Sequence, residues 1–243
     1  MFDVLSIPLW FLLFIFGALL FAPSKLLSFG NIQGGISYFY WGFVFITLLG
    51  SNLSGIAQYM LYEQSTGTLE QFFLAPSNRL AVIAGRWARI LVVNFAVLSS
   101  TTLFLFASAK TTIILHDIFS VFALLVLLEL ALLGIGLILA GLSLIMRSIV
   151  TYLNYVWIAA MFFSGVFFPP SSIHYPLEII SLILPTTYYV DLIKFYALGT
   201  QTIFPVGLEL ALVVPLSVGL LLGGLLTFNK IEMFAKRRGV TLY

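Results

Sequence analysis

Charged residues are so sparse along this chain that the gaps between them predict its structure. No formal charge occurs between Lys25 and Glu63, Arg89 and Lys110, Arg147 and Glu178, or Glu209 and Lys230. At about 1.5 Å per helical residue, each gap can cross a hydrocarbon layer of about 30 Å. Lipid offers the backbone no hydrogen-bond partner, so runs of this kind are expected to be helices. The pattern predicts six spans, at about residues 4–22, 37–61, 88–109, 118–145, 149–168 and 207–228. The first is preceded by Asp3 and no basic segment, so it reads as a retained span and not as a cleaved signal. The predicted fold class is all-α integral membrane, with residues 1–243 forming a single transmembrane domain.

Composition narrows the reading further. The chain is 61% hydrophobic and 8% charged, with a mean hydropathy of +1.13, which leaves too little polar surface for a soluble core. It contains no cysteine, so disulfides and thiolate metal sites are excluded. The net charge of +2 is dispersed over loops and speaks for membrane orientation, not for nucleic acid. Arg79, Arg86, Arg89, Arg147, Lys230, Lys236, Arg237 and Arg238 fall on one side of the six-span arrangement, and Lys25, Lys110 and Lys194 on the other. Positive charge concentrates on the cytoplasmic side, so both termini are expected there, in a multi-pass protein of the inner or plasma membrane. Tyr38, Tyr40 and Trp41 at one end of the second span, and Tyr59 and Tyr62 at the other, match interfacial belts.

Two stretches break the pattern. Residues 169–205 are apolar in patches but interrupted by Pro169, Pro170, Pro176, Pro185 and Pro205, and no piece is long enough to span. Either a re-entrant helix pair dips into the outer leaflet, or amphipathic helices rest on it; proline-bounded apolar pieces favour the first. Asp191, Lys194 and Glu209 are expected at the outer interface, where charge costs little, and carry no assigned role. The second stretch, Tyr62–Arg79, is the most polar in the chain. Thr68 and Gln71 have capping-box spacing, Glu70 suits a first helical turn, and Pro76 would end the helix. Leu69, Phe72 and Phe73 then share one apolar face of a short surface helix, which either lipid or a groove on a soluble partner could cover.

Catalytic constellations are lacking. There is no GxxxxGK[ST] or HExxH, and His116 and His174 lie far apart in outer loops. Ser164 in "FSGVF" reads as a packing or kink position. Glu129, near the middle of the fourth span, is costly there by about 2.5–3.5 kcal/mol and must face protein or water. It either lines a translocation path, together with Asn94, or fixes helix packing against Asn94 or Asn154; the lack of a second acidic residue at that depth favours packing. Gly50-xxx-Ser54, Gly136-xxx-Ala140 and Gly219-xxx-Gly223 are expected helix-contact ridges.

Two blocks also carry a resemblance. "EQSTGTLEQFFLAPSNRLAVIAGR" resembles the ABC type-2 permease family, with its E-x-x-x-G-T-L-E-x-L-x-x-(T/S)-P before the third span. About ninety residues on, "GLILAGLSLIMRS" and "FFSGVFFPPSSIHYPLEIISLILPTTYYVDLIKFYALG" resemble that family's fifth span, ending S-G-x-x-F-P, and its re-entrant pair with L-P-x-T-Y. The resemblance implies the membrane half of an ATP-driven exporter, drug- or lipid-exporting in type. Its partners would be a separate nucleotide-binding ATPase subunit, a second permease copy in a homodimer or heterodimer, and membrane lipid. The chain itself would bind no cofactor, with ATP and Mg on the ATPase partner. Glu63, Gly67, Thr68, Leu69, Glu70, Phe72, Phe73 and Pro76 would form the cytosolic coupling helix. Ser164, Gly165, Pro169, Pro185 and Tyr188 would belong to the extracellular gate. Many relatives carry an amphipathic helix before the first span; only about three residues precede it here, so no docking role is expected of one. A permease for surface glycan or cytochrome maturation is the same-family alternative, and a proton-coupled secondary transporter using Glu129 the different-class one. The latter would need inverted repeats of broken helices, which the chain does not show. A membrane-embedded enzyme finds no support in the residues.

Overall fold

A computed structural model of the chain describes residues 32–68, 79–109, 112–143, 149–167 and 175–237. Within them the regular elements are helices: α1 (Ile32–Ser65), α2 (Arg79–Ala109), α3 (Ile118–Ser143), α4 (Ile149–Phe163), α5 (Tyr175–Ile183), α6 (Pro185–Leu198) and α7 (Val206–Arg237). Four of these, α1, α2, α3 and α7, are long and apolar enough to cross a membrane. The predicted span 4–22 lies outside the described residues.

The predicted span 149–168 is shorter than expected. It is helical over 15 residues, Ile149–Phe163, or about 22 Å, because the chain turns at Ser164 and takes φ +75 at Gly165. Conversely α2 starts nine residues before the expected 88, and α1 and α7 also run past their predicted limits. Arg86 and Arg89 interrupt burial in lipid but do not interrupt a helix, since arginine is a good helix former. Charge therefore does not mark where a helix ends.

The bundle is built around α3. This helix has no polar stripe, and residues from Val121 to Ser143 are buried on several of its sides by α7, α1, α6 and α4. Its N-terminus is fixed by Asp117. Oδ1 accepts the Phe119 and Ser120 amides, both at 3.1 Å, and Oδ2 accepts the Ser120 hydroxyl at 2.6 Å. The Ser120 hydroxyl, followed by the backbone amides, holds the Asp117 carboxyl below its usual range.

Lipid tails are as apolar as leucine, so helices here associate by close packing of small residues more than by water exclusion. The tightest case is α3 on α7. A Cβ on Gly134 would strike the Leu220 carbonyl, and one on Gly224 would strike the Gly134 carbonyl. The predicted ridge Gly219-xxx-Gly223 is displaced by one residue: both glycines face open space, and the neighbouring face with Leu220 and Gly224 makes the contact. Gly136 does pack as a ridge, 3.1 Å from where its Cβ would meet Ile56 of α1, and Ala140 is fully buried. Gly50 admits the Trp157 indole of α4, whose Nε1 donates to the Ile46 carbonyl at 3.3 Å.

Gly134→Leu should force α3 and α7 apart and cost at least the 1–3 kcal/mol typical of overpacking, roughly, because the obstacle is backbone. The full chain in detergent should lose several degrees of thermal stability, whereas Gly219→Leu should not. Equal melting of the two variants would count against the contact.

Candidate functional site

At one end of the bundle, the chain leaves α1 toward the linker at 66–78 through a Schellman motif. Thr68 N–H donates to the Glu63 carbonyl at 3.1 Å, and Gly67 N–H to that of Gln64 at 3.4 Å. Gly67 stands at φ +72, where a side chain would be strained by about 1–2 kcal/mol. The Thr68 hydroxyl bonds the Glu63 carboxylate and lies 2.8 Å from the Thr66 hydroxyl. Glu63, Gly67 and Thr68 thus form one unit that stops α1 and sets the direction of the linker. Leu69, Glu70, Phe72, Phe73 and Pro76, the rest of the predicted short helix, lie outside the described residues, so Thr68 is placed but its predicted pairing with Gln71 is not.

The opposite end carries the hairpin of α5 and α6. At 9 and 14 residues, neither helix could cross a membrane. Pro185 opens α6 at a position where the missing amide costs nothing, and Gly199 closes it at φ +73 with its N–H on the Phe195 carbonyl at 2.8 Å. α6 packs on α3, α1 and α7, with Thr187, Tyr189, Leu192, Ile193 and Ala197 buried. Three of the predicted gate residues meet here. The Ser164 and Thr186 hydroxyls are 2.5 Å apart, and Tyr188 donates its hydroxyl to the Leu182 carbonyl at 2.5 Å across the hairpin. Gly165 supplies a carbonyl that accepts the Tyr38 hydroxyl at 3.2 Å. Pro169 lies outside the described residues.

The centre of this end is a residue that the sequence left without a role. Lys194, expected at an interface, is 3% exposed. Its ammonium donates to the Gly165 and Val166 carbonyls at 2.8 and 2.9 Å and sits 3.3 Å from the centroid of the Tyr38 ring. One cation therefore ties α6 to the turn after α4 and to α1. Asp191 and Glu209 are engaged as well. Asp191 Oδ2 accepts the Ile203 amide at 2.7 Å, Glu209 Oε1 accepts the Phe204 amide at 2.9 Å, and Glu209 is fully buried. The two carboxylates are close enough to interact directly, and they grip successive amides of the turn into α7. The i, i+3 spacing of Asp191 and Lys194 on a proline-bounded apolar helix was the available signal. It placed both on one side of α6 without saying that this side is enclosed.

In the interior, Glu129 Oε2 accepts the Asn52 amide at 3.1 Å, joining α3 to α1, and the Trp87 indole of α2 lies beside it. Its partner is therefore neither Asn94 nor Asn154. Asn94 donates to Ser51 Oγ at 2.9 Å, and Asn154 is exposed on α4. Asn52, Glu129 and Asn94 stand 13, 14 and 15 residues from the linker-side ends of α1, α3 and α2, so depth alone could not choose between the two asparagines. Asn94 instead lines an open groove of about 550 Å³ between α1 and α2, and Glu129 does not.

Residues 6–196 match the ABC-2 type transporter family, from within the first predicted span to within α6. The chain belongs to the ABC-2 type transporter family. Among curated proteins none matches it. As an ABC-2 membrane domain it is the permease component of an ABC transporter, a membrane protein that is not itself catalytic. ABC-2 permeases normally work with an ATPase subunit. The Schellman turn and Lys194 with its partners Tyr38, Gly165 and Val166 lie within the matched stretch; Glu209 and the α3–α7 contact join it to a helix beyond it.

Lys194→Met should keep the volume of the aliphatic stem but leave the Val166 carbonyl buried without its donor. The expected loss is about 1–3 kcal/mol, read as a lower unfolding temperature of the purified full chain. A variant that melts with the wild type would show that the ammonium contributes nothing net.

Proposed function

We propose that this chain is the membrane subunit of an ATP-driven exporter that moves an amphipathic compound (a drug, an antibiotic or a lipid) out of the cytoplasm. It works as a dimer of permeases, each docked on a separate ATPase subunit that holds ATP and Mg. The linker 66–78 is the coupling element, the α5–α6 hairpin a re-entrant outer gate, and both termini are cytoplasmic. The observation that carries this reading is the rigid exit from α1. At 34 and 31 residues, α1 and α2 are about 51 and 46 Å long, more than the 40–45 Å of a bilayer with its headgroups. A linker held by a Schellman turn at the end of such a helix transmits a push to the span instead of absorbing it. Closure of the ATPase dimer would tilt α1 and α2 as rigid rods. Arg79, Arg86 and Arg89, all at this end, support its cytoplasmic placement.

At the other end, tilt of α1 reaches the hairpin through Tyr38 and the Gly165 carbonyl. The hydroxyl pair Ser164–Thr186 spans the seam between α4 and the hairpin that an opening gate would part. The burial of α6 among α1, α3 and α7 supports insertion over resting on the surface.

Gly67→Pro removes the left-handed residue from the Schellman turn, and Glu70→Lys reverses a charge on the linker. Both should leave insertion intact and abolish transport-linked ATP hydrolysis by the complex; full activity in either would refute the coupling role. The chain is naturally free of cysteine, so Ser164→Cys with Thr186→Cys introduces the sole thiol pair. Oxidation should block transport and reductant restore it, whereas undiminished transport in the cross-linked protein would mean that the seam does not open.

A further inference from the structure

The groove between α1 and α2 is lined by residues of those two helices. Ser51 and Asn94 close its deep end, Ile90 and Val93 form an apolar wall, and Arg86 and Arg89 stand at its linker end. No carboxylate is among its lining residues, and Glu63, at the linker end, is engaged by the Tyr59 and Thr68 hydroxyls. We propose that this groove binds one anionic phospholipid, its phosphate held by Arg86 and Arg89 and the start of an acyl chain laid along Ile90 and Val93.

The two arginines are three residues apart on α2 and share a face. They differ in what engages them. The Arg86 guanidinium is stacked over the Tyr59 ring, 3.9 Å from its centroid, which fixes its position on the groove wall. Arg89 is exposed and has no hydrogen-bond or ion-pair partner among the described residues. One ordered and one exposed guanidinium at the mouth of a groove suit a phosphate diester, which accepts from two planar donors at once. From Arg86 the groove runs eight residues to Asn94, about 12 Å toward the membrane centre. That places the arginines at headgroup depth and the apolar wall at acyl depth, and Tyr62, 65% exposed, belongs at the same interface. Basic pockets between spans on the cytoplasmic side are a recurrent binding place for anionic headgroups. A second copy of this chain docking symmetrically here would instead bring arginine against arginine.

The bound lipid would wedge between the two spans that flank the linker and so set their splay. That consequence rests on the coupling role proposed above; the binding itself does not, and it is measured on the permease chain alone. Purified full chain in detergent is offered phosphatidylglycerol and phosphatidylcholine of identical acyl composition, and retained lipid is counted by native mass spectrometry. The wild type should retain phosphatidylglycerol in preference. Each arginine replaced by alanine should weaken retention about fivefold, the value of one basic residue near an anionic surface. Arg89→Lys should keep most of the preference, and Val93→Trp should lose retention by filling the groove with both arginines intact. Lack of preference in the wild type, or an unchanged lipid ratio in Arg86→Ala with Arg89→Ala, would overturn the proposal. So would a shift in oligomeric state in Arg89→Ala with lipid retention preserved, which would make the groove an interface between copies.

Discussion

Backbone contact between α3 and α7 at Gly134 and Gly224 is the constraint on which the bundle depends. In lipid, burying one leucine against another yields little, so the helices gain by approaching closely and by satisfying polar groups across their seams. With α7 drawn onto one side of α3, the other sides are left to α1, α4 and α6. α3 thereby becomes enclosed, and its one carboxylate, Glu129, must find a partner inside the protein. Asn52 supplies it, and α1 is fixed in rotation as a result.

That rotation orients both ends of α1. Toward the linker it aims the Schellman turn of Glu63, Gly67 and Thr68; toward the hairpin it sets Tyr38 beneath Lys194. The two ends are thus joined by one helix of 34 residues without an interior proline or a left-handed residue. A motion imposed at one end has few soft dihedrals in which to dissipate. The hairpin end is held by polar bonds of high local value and few apolar layers: Lys194 on two carbonyls, Asp191 and Glu209 on two amides, Ser164 beside Thr186. Such bonds are directional, so they switch between made and broken where apolar packing would slide.

Chain order alone made the architecture legible, because helices in lipid must satisfy their own backbones. The predicted spans at 37–61, 88–109, 118–145 and 207–228 each became a membrane-length helix, with errors only at their ends. The ends went wrong where α2 runs on through its arginines, and where Gly165 turns the chain out of α4. Ser164, Gly165, Pro185 and Tyr188 were grouped by the family resemblance; only the turns at Gly165 and Pro185 are local signals, because glycine and proline mark turns whatever surrounds them. Lys194, Asp191 and Glu209 were not, since charge in a short apolar helix reads as an interface unless another element covers it.

The sequence by itself determined the helical class, the four long apolar spans, the proline-bounded non-spanning break before α7 and the family motifs, since each is a local property of composition or backbone. Only the tertiary structure decided which face of each helix meets another. Gly219 and Gly223 form the evident small-residue ridge, yet Gly224, one position on, and the Leu220 backbone make the contact, and Asn52 and Asn94 lie at about the same depth as Glu129. Rotation of a helix about its own axis is set by its neighbours, and one residue of sequence is about 100° of that rotation.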